Sequence, residues 1–133
     1  MKIAMISETY SRDMGYSQNM LPIFLARLGH EVHFYTTALL PYYYMKDFDL
    51  SRTRFGRDRL LKPGQEFTQE GVTIHVLAHD RLFGYVRPMG LLNCLRILHP
   101  QVVQTFAAIG WIPMMAAFGK CLLGYRLFTE NHN

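Results

Sequence analysis

Residues 2–37 contain the feature that most constrains the fold, because a strand, a turn, a helix and a second strand follow one another within them. The segment from Lys2 to Tyr10 is nearly continuous in apolar residues, which is typical of a strand covered on both faces of its sheet. Residues 11–15 form a turn cluster, and the segment from Glu31 to Thr37 predicts a second strand. Between them, apolar residues recur at helical spacing: Leu21, Phe24, Leu25 and Leu28.

A proline and a glycine mark the ends of this first helix. Gly29 stands where helices commonly end in left-handed backbone. Pro22 lacks an N–H group, which does no harm only in the first turn of a helix. We therefore expect the helix to begin near Asn19 as its N-cap, or to bend there.

The rest of the chain continues the alternation of strands and helices. Three further strands are predicted at Val72 to Leu77, Gln101 to Ala107 and Arg126 to Glu130. One helix is opened by Pro88, carries three leucines on one face and closes at His99-Pro100, and another runs from Pro113 to Leu123. This order predicts an α/β fold: a Rossmann-like open, mainly parallel sheet with helices on both faces.

The length of 133 residues, half of them hydrophobic, fits one domain over residues 1–133. The chain stops directly after a predicted strand, so we expect it to be the N-terminal part of something longer. Phe106 to Leu123 is interrupted by glycine, proline and lysine, which favours a buried core helix over a membrane span. Cys94 and Cys121 have no metal spacing, so we expect no metal site and a reducing, cytoplasmic compartment.

Residues 38–71 show neither the helix nor the strand period. Within them, residues 42–62 contain three consecutive tyrosines and a basic run made of Arg52, Arg54, Arg57, Arg59 and Lys62. The net charge of +4 is compatible with anionic partners without selecting one. One interpretation is attraction to an anionic membrane surface; the other is a solvated loop. The segment lacks the regular aromatic interleaving of a stacking platform, so nucleic acid is not expected as a partner.

Ligands of open α/β sheets lie outside the carboxyl ends of the strands, so the segments that follow each strand hold the candidate site residues. Gly15 lies in the first of them, before a helix N-terminus, and either admits an anion such as a diphosphate or merely permits a turn. His132 follows the last predicted strand on the same edge. The dinucleotide fingerprint, the phosphate-binding P-loop and the hydrolase nucleophile elbow are absent from the sequence.

Four stretches in the same order resemble family 4 glycosyltransferases of the GT-B fold. The opening ends in Leu28-Gly29-His30-Glu31-Val32, and the others read "EGVTIHVL" (70–77), "LHPQVVQTF" (98–106) and "LFTENH" (127–132). The resemblance implies that Gly15 lies near the donor diphosphate, flanked by Tyr16 and Asn19. It also implies that Thr105 contacts substrate and that His132 is catalytic beside the donor sugar.

Members of this family transfer a sugar from a nucleotide-diphosphate sugar to an acceptor with retained configuration, without a required metal or other cofactor. The chain departs from the family pattern at Met14, where a second glycine is common, and at Gln104-Thr105, where a histidine is frequent. The C-terminal domain that binds the donor has no counterpart in these residues. The resemblance thus implies the acceptor-side half of a glycosyltransferase, inactive by itself; the alternative is a non-catalytic α/β binding or interaction module.

Overall fold

The computed structural model describes residues 1–10, 17–39 and 61–130. Eight strands and three helices are defined in this part of the chain. The strands are β1 (Lys2–Ile6), β2 (Glu31–Thr37), β3 (Glu66–Gln69), β4 (Val72–Leu77), β5 (His79–Leu82), β6 (Tyr85–Pro88), β7 (Val102–Thr105) and β8 (Arg126–Thr129). The helices are α1 (Ser17–Arg27), α2 (Leu91–Leu98) and α3 (Trp111–Leu123).

Six strands form one mixed, mostly parallel sheet in the order β3-β4-β2-β1-β7-β8. Only β3 runs antiparallel to its neighbour, where Glu66 pairs with His75. The remaining two strands, β5 and β6, form a separate antiparallel pair. The predicted α/β class and the mainly parallel sheet are therefore confirmed.

Alternate residues of β1 enter two separate cores, one on each face of the sheet. Ala4 and Ile6 belong to a core that also contains buried residues of α2 and α3. Ile3 and Met5 belong to the other core, which includes Ile23 of α1. Burial on both faces explains why β1 has an apolar run without polar alternation.

The first helix differs from its prediction in its start and in its buried face. It begins at Ser17 rather than near Asn19, and Pro22 lies inside it. Its fully buried residues are Asn19, Pro22 and Ile23, whereas Phe24 and Leu28 are exposed. The predicted apolar stripe is thus only half correct, because Leu21 and Leu25 pack against the core while Phe24 and Leu28 face solvent.

The helix ends agree better with the sequence. Gly29 has a φ of 88° and donates its N–H to the carbonyl oxygen of Ala26, as expected of a left-handed ending. The predicted leucine face of α2 is buried, namely Leu91, Leu95 and Leu98. That helix begins three residues after Pro88, which instead ends β6.

The third helix corrects the prediction of a buried core helix. Only Ile112, Ala116 and Gly119 are buried, and Met114, Phe118 and Leu122 form an exposed apolar stripe with a spacing of four residues. The helix packs against the sheet on one side alone. Because apolar residues occur on every side of α3, its sequence does not indicate which side is buried.

The strand predictions were correct in position but too long at several ends. The predicted strand from Val72 to Leu77 is confirmed as β4. The first, fourth and fifth predicted strands end earlier, at Ile6, Thr105 and Thr129. The strand β3 lies in the stretch predicted to lack a period, and the β5–β6 hairpin lies in a stretch expected to be loop.

Candidate ligand site at the carboxyl edge of the sheet

The order of the parallel strands reverses at β1. After β1 the chain adds β2 and β4 on one side, and later adds β7 and β8 on the other. Ile6 pairs with Tyr35 of β2 and with Thr105 of β7, so three strands end side by side. Such a reversal opens a crevice beyond the strand ends, and this is where open α/β sheets bind ligands.

The first turn of α1 is held against the end of β1. The hydroxyl of Ser7 donates to Oε1 of Gln18 at 3.4 Å, and the backbone N–H of Ser7 donates to the carbonyl oxygen of Tyr35 at 3.1 Å. Asn19 follows in the same turn with only 2% of its surface exposed. The start of α1 is thereby fixed at the crevice.

Glu8 follows Ser7 and carries the carboxyl group nearest to this strand end. The backbone carbonyl oxygen of Glu8 accepts a 2.6 Å hydrogen bond from the hydroxyl of Thr37, which ties the segment after β1 to the end of β2. Burial raises the pKa of the Glu8 carboxyl, and the charges of Arg81 and His79 oppose that rise. A half-buried carboxyl of raised pKa can accept a hydrogen bond from a hydroxyl group and take up its proton.

The β5–β6 hairpin carries Arg81 and His79, the two residues whose charges act on the Glu8 carboxyl. The two residues are separated by one position in β5, so they project from the same face of that strand. Within the described part of the chain, Nδ1 of His79 is buried without a hydrogen-bond partner. The hairpin thus supplies one cation and one ring nitrogen that a bound molecule can engage.

The position of the hairpin is set by Trp111 at the start of α3. Its indole N–H donates to the carbonyl oxygen of Leu82 at 2.9 Å. Arg87 lies with its guanidinium carbon 5.9 Å from the Trp111 ring centre, and its Nε donates to Asp80 at 2.9 Å. This ion pair lowers the pKa of the Asp80 carboxyl through the hydrogen bond from Arg87.

Exposed apolar side chains form a rim at the tip of the hairpin. Phe83 and Gly84 have φ values of 53° and 81°, as a two-residue turn between twisted antiparallel strands requires. Phe83 is 84% exposed, and Tyr85 and Ile109 are also exposed. Aromatic faces of this kind pack against the apolar faces of ligands while polar groups deeper in a site bind their hydroxyls.

Thr105 ends β7 and is fully buried. Its hydroxyl lies 3.2 Å from the carbonyl oxygen of Ala107 and 3.2 Å from Oγ1 of Thr129. Behind it, the side-chain amide of Gln104 donates to Glu130 at 3.3 Å. These bonds fix the ends of β7 and β8 relative to each other.

Two of the predicted site residues lie in the described part of the chain: Asn19 in the first turn of α1, and Thr105 at the end of β7 beside Ile6 of β1. The other three, Gly15, Tyr16 and His132, lie outside the described residues, as does most of the 42–62 segment. Their predicted roles stay predictions.

Sequence reasoning missed the grouping of Glu8, His79 and Arg81. A signal for it was present, since Phe83-Gly84 separates two four-residue runs of the kind that pair as a hairpin. Neither run alternates clearly between apolar and polar residues, so the period gave no strand prediction.

The described residues contain no group of three or more His, Cys, Asp or Glu side chains that could hold a metal ion. None of the helices in the described ranges is both long enough and apolar enough to cross a bilayer. Cys94 and Cys121 are free thiols, and burial raises the pKa of Cys94.

The strands define an α/β domain whose strand order reverses at β1. No protein-family model, curated protein or solved structure matches the chain. Its function is therefore inferred from the residues at this edge of the sheet.

Proposed function

We propose that the chain is the acceptor-side, Rossmann-like domain of a retaining GT-B glycosyltransferase. The observation that carries the proposal is the reversal of strand order at β1, with the first turn of α1 on one side of the crevice and Glu8 beside Arg81 on the other. The ordered motif resemblance adds the reaction class. In the complete protein a second domain would bind the nucleotide, and the donor sugar would lie between the two domains.

The roles of the residues follow from their chemistry. The N-terminal turn of α1, preceded by Gly15 and Tyr16, offers backbone N–H groups to the donor diphosphate. Fixed donors of this kind stabilise the charge that develops on the leaving diphosphate, which is electrostatic catalysis without a metal. His132 acts beside the transferring sugar.

The acceptor occupies the hairpin side of the crevice. Glu8 accepts a hydrogen bond from an acceptor hydroxyl, and the charge of Arg81 favours the ionised form of its carboxyl. Phe83 and Tyr85 pack on the apolar face of a sugar ring or of a lipid-linked acceptor. Residues 42–62 bring the domain to an anionic membrane surface from the cytoplasmic side.

Backbone NMR of the whole chain tests the location of the site. UDP-glucose, GDP-mannose and simple monosaccharides are titrated separately at millimolar concentration. The expected shifts fall on the amides of Glu8, Gln18, Asn19 and Thr105, and Arg81→Gln weakens the monosaccharide response. The matched control is Arg96→Gln, an exposed arginine of α2 whose removal should change nothing.

Calorimetry with the same sugar nucleotides tests the division of labour between domains. Because the proposal assigns nucleotide binding to a second domain, residues 1–133 alone should bind them weakly and transfer no sugar. Tight binding would overturn the assignment of the donor site to a second domain. Shifts confined to the opposite edge, around Gln101, would overturn the site itself.

A second candidate function is a non-catalytic interaction module. The exposed stripe of Met114, Phe118 and Leu122 on α3 favours it, because contiguous exposed apolar surface commonly marks a protein contact. Under this alternative, the titrations above give no shift at the crevice. Replacement of Phe118 by Ser would then abolish partner capture while Arg81→Gln leaves it unchanged.

A further inference from the structure

Four side chains form an unbroken chain of polar contacts across β2, β4 and β3, away from the proposed site. Oε1 of Glu31 lies 3.0 Å from Nε2 of His33, and Nδ1 of His33 lies 2.9 Å from Nε2 of His75. Nδ1 of His75 in turn lies 2.9 Å from Oε2 of Glu66. All four ring nitrogens of the two histidines are therefore engaged.

These three contacts need three protons, whereas two neutral imidazole rings supply only two. When each neutral ring donates its N–H in a hydrogen bond to the neighbouring carboxylate, Nδ1 of His33 and Nε2 of His75 face each other without a hydrogen atom between them. Two lone pairs then oppose each other at 2.9 Å. One additional proton converts this repulsion into a hydrogen bond and places a positive charge between two carboxylates.

We infer that His33 and His75 form a proton-binding site, in which one proton is shared between the two rings and held by Glu31 and Glu66. The site joins the edge strand β3 to the interior of the sheet. Binding of the proton tightens that junction, and its release leaves Glu66 opposite a neutral pair.

The surroundings limit the site to one additional proton. The side chains of His33 and His75 are 17% and 20% exposed. Burial is the main cause that lowers the pKa of His75, and a charge on His33 lowers it further, so a second proton is disfavoured. The hydrogen bond from His33 lowers the pKa of Glu31, which stays ionised.

The other groups that face the pair are few. The Tyr35 ring stacks on His75 with ring centres 4.6 Å apart, and burial raises the pKa of its phenol, so it stays neutral. Cys94 of α2 approaches Tyr35, and burial raises the pKa of its thiol. Lys2 of β1 lies 3.8 Å from Glu31. Among the contacts of the described residues, Lys2 is thus the permanent cation beside these four side chains.

A shared proton gives the pair a bell-shaped contribution to stability. The unfolded chain binds two protons at these residues at acidic pH and none at alkaline pH, while the folded pair holds one over the intermediate range. Stability therefore rises with pH where the unfolded state binds more protons, and falls with pH where the folded state binds more. The maximum lies near the ordinary histidine pKa of 6.5.

Denaturant unfolding of the whole chain from about pH 5 to about pH 9 measures this contribution. The ratio of the unfolding constants of His33→Gln and the unmodified protein is expected to peak between the two ends. This ratio should fall by about tenfold from its peak toward acidic pH and toward alkaline pH, since one unit of pKa shift is a factor of ten. The control His99→Gln, an exposed histidine after α2, should leave the peak unchanged. A ratio that stays flat or changes in one direction overturns the proposal.

Nitrogen-15 NMR of the histidine rings tests the site without a substitution. In chelator-treated buffer the two rings should titrate in two steps more than about one pH unit apart. Glu66→Gln should move the alkaline step to lower pH, because it removes one of the carboxylates that hold the proton. Glu70→Gln, four residues away and paired with Arg27, should leave both steps in place. A single step common to both rings overturns the shared proton.

Discussion

Gly119→Ala reverses the usual effect of replacing a helix glycine. A methyl group at an interior helix position normally gains about 1 kcal/mol over glycine. At Gly119, however, the added Cβ atom would clash with the hydroxyl oxygen of Tyr125. That hydroxyl is buried and donates to the carbonyl oxygen of Ala116, one turn earlier in α3. Tyr125 must therefore move, and the hydrogen bond breaks.

The magnitude follows from these opposing effects. Overpacking costs about 1–3 kcal/mol. An unsatisfied buried hydroxyl costs a further 1–3 kcal/mol or so. After the gain in helix propensity, a net loss of about 3 kcal/mol remains, and this lowers the midpoint of thermal unfolding by roughly 9–15 °C in a chain of this size.

The assay is a double-mutant cycle with Tyr125→Phe, read by denaturant and thermal unfolding. Without the hydroxyl, the nearest atoms to the new methyl are Cδ2 of Leu92 at 3.2 Å and the aromatic ring carbon Cζ at 3.4 Å. In the phenylalanine background, Gly119→Ala should therefore be neutral or should stabilise by up to about 1 kcal/mol. An equal loss in both backgrounds would refute the role of the hydroxyl.

Three further predictions concern the crevice and the basic segment. Because burial raises the folded-state pKa of Glu8, ionisation of Glu8 destabilises the protein as pH rises past its ordinary value of 4.5. Glu8→Gln should thus raise the thermal midpoint at neutral pH, and this difference should shrink toward acidic pH. Thr105→Val removes a hydroxyl bonded to a backbone carbonyl, so it should lower the free energy of unfolding by about 1 kcal/mol. The denaturant midpoint should fall, and the dependence of the unfolding free energy on denaturant should stay unchanged. The chain should sediment with anionic liposomes at low salt, and the variant in which Gln replaces Arg52, Arg54, Arg57, Arg59 and Lys62 should stay in solution.

The parts of the fold that were predicted correctly are those whose residue pattern is compatible with a single local structure. The strand β4 and the leucine face of α2 have regular periods, and Gly29 ends a helix in backbone that side chains disfavour. The strand β3 was missed because Glu66–Gln69 is polar and short. Its pairing depends on β4 rather than on its own pattern.

The apolar residues of the helices show the opposite limit. Phe24 on α1 and Phe118 on α3 both satisfy helical periodicity, and both are exposed. Periodicity identifies a helix, but an excess of apolar residues leaves the contact face undetermined. On α1 the buried face centres on Asn19, Pro22 and Ile23, which the spacing of the leucines and Phe24 did not indicate.

The candidate site was predictable only where it depends on strand ends. Thr105 lies in a segment selected by the rule that ligands lie beyond the carboxyl ends of parallel strands, whereas Asn19 was assigned only through the family resemblance. The charge of Arg81 that acts on Glu8 comes from a hairpin held by Trp111. Sequence separation of this kind hides a contact from any local pattern.

The central position of β1 determines when the sheet can close during synthesis. β1 and β2 can pair as soon as the chain has passed Thr37, and β4 can join once Leu77 has emerged. The second neighbour of β1 is β7, which ends at Thr105, roughly thirty residues later and on the order of 2–6 s at ~5–20 residues per second. During that interval one side of β1 is an unpaired, apolar edge. The nascent chain therefore passes through a partial sheet whose exposed edge, β1, lies in the interior of the finished sheet. At this stage chaperone binding should have its largest effect on the yield of folded protein.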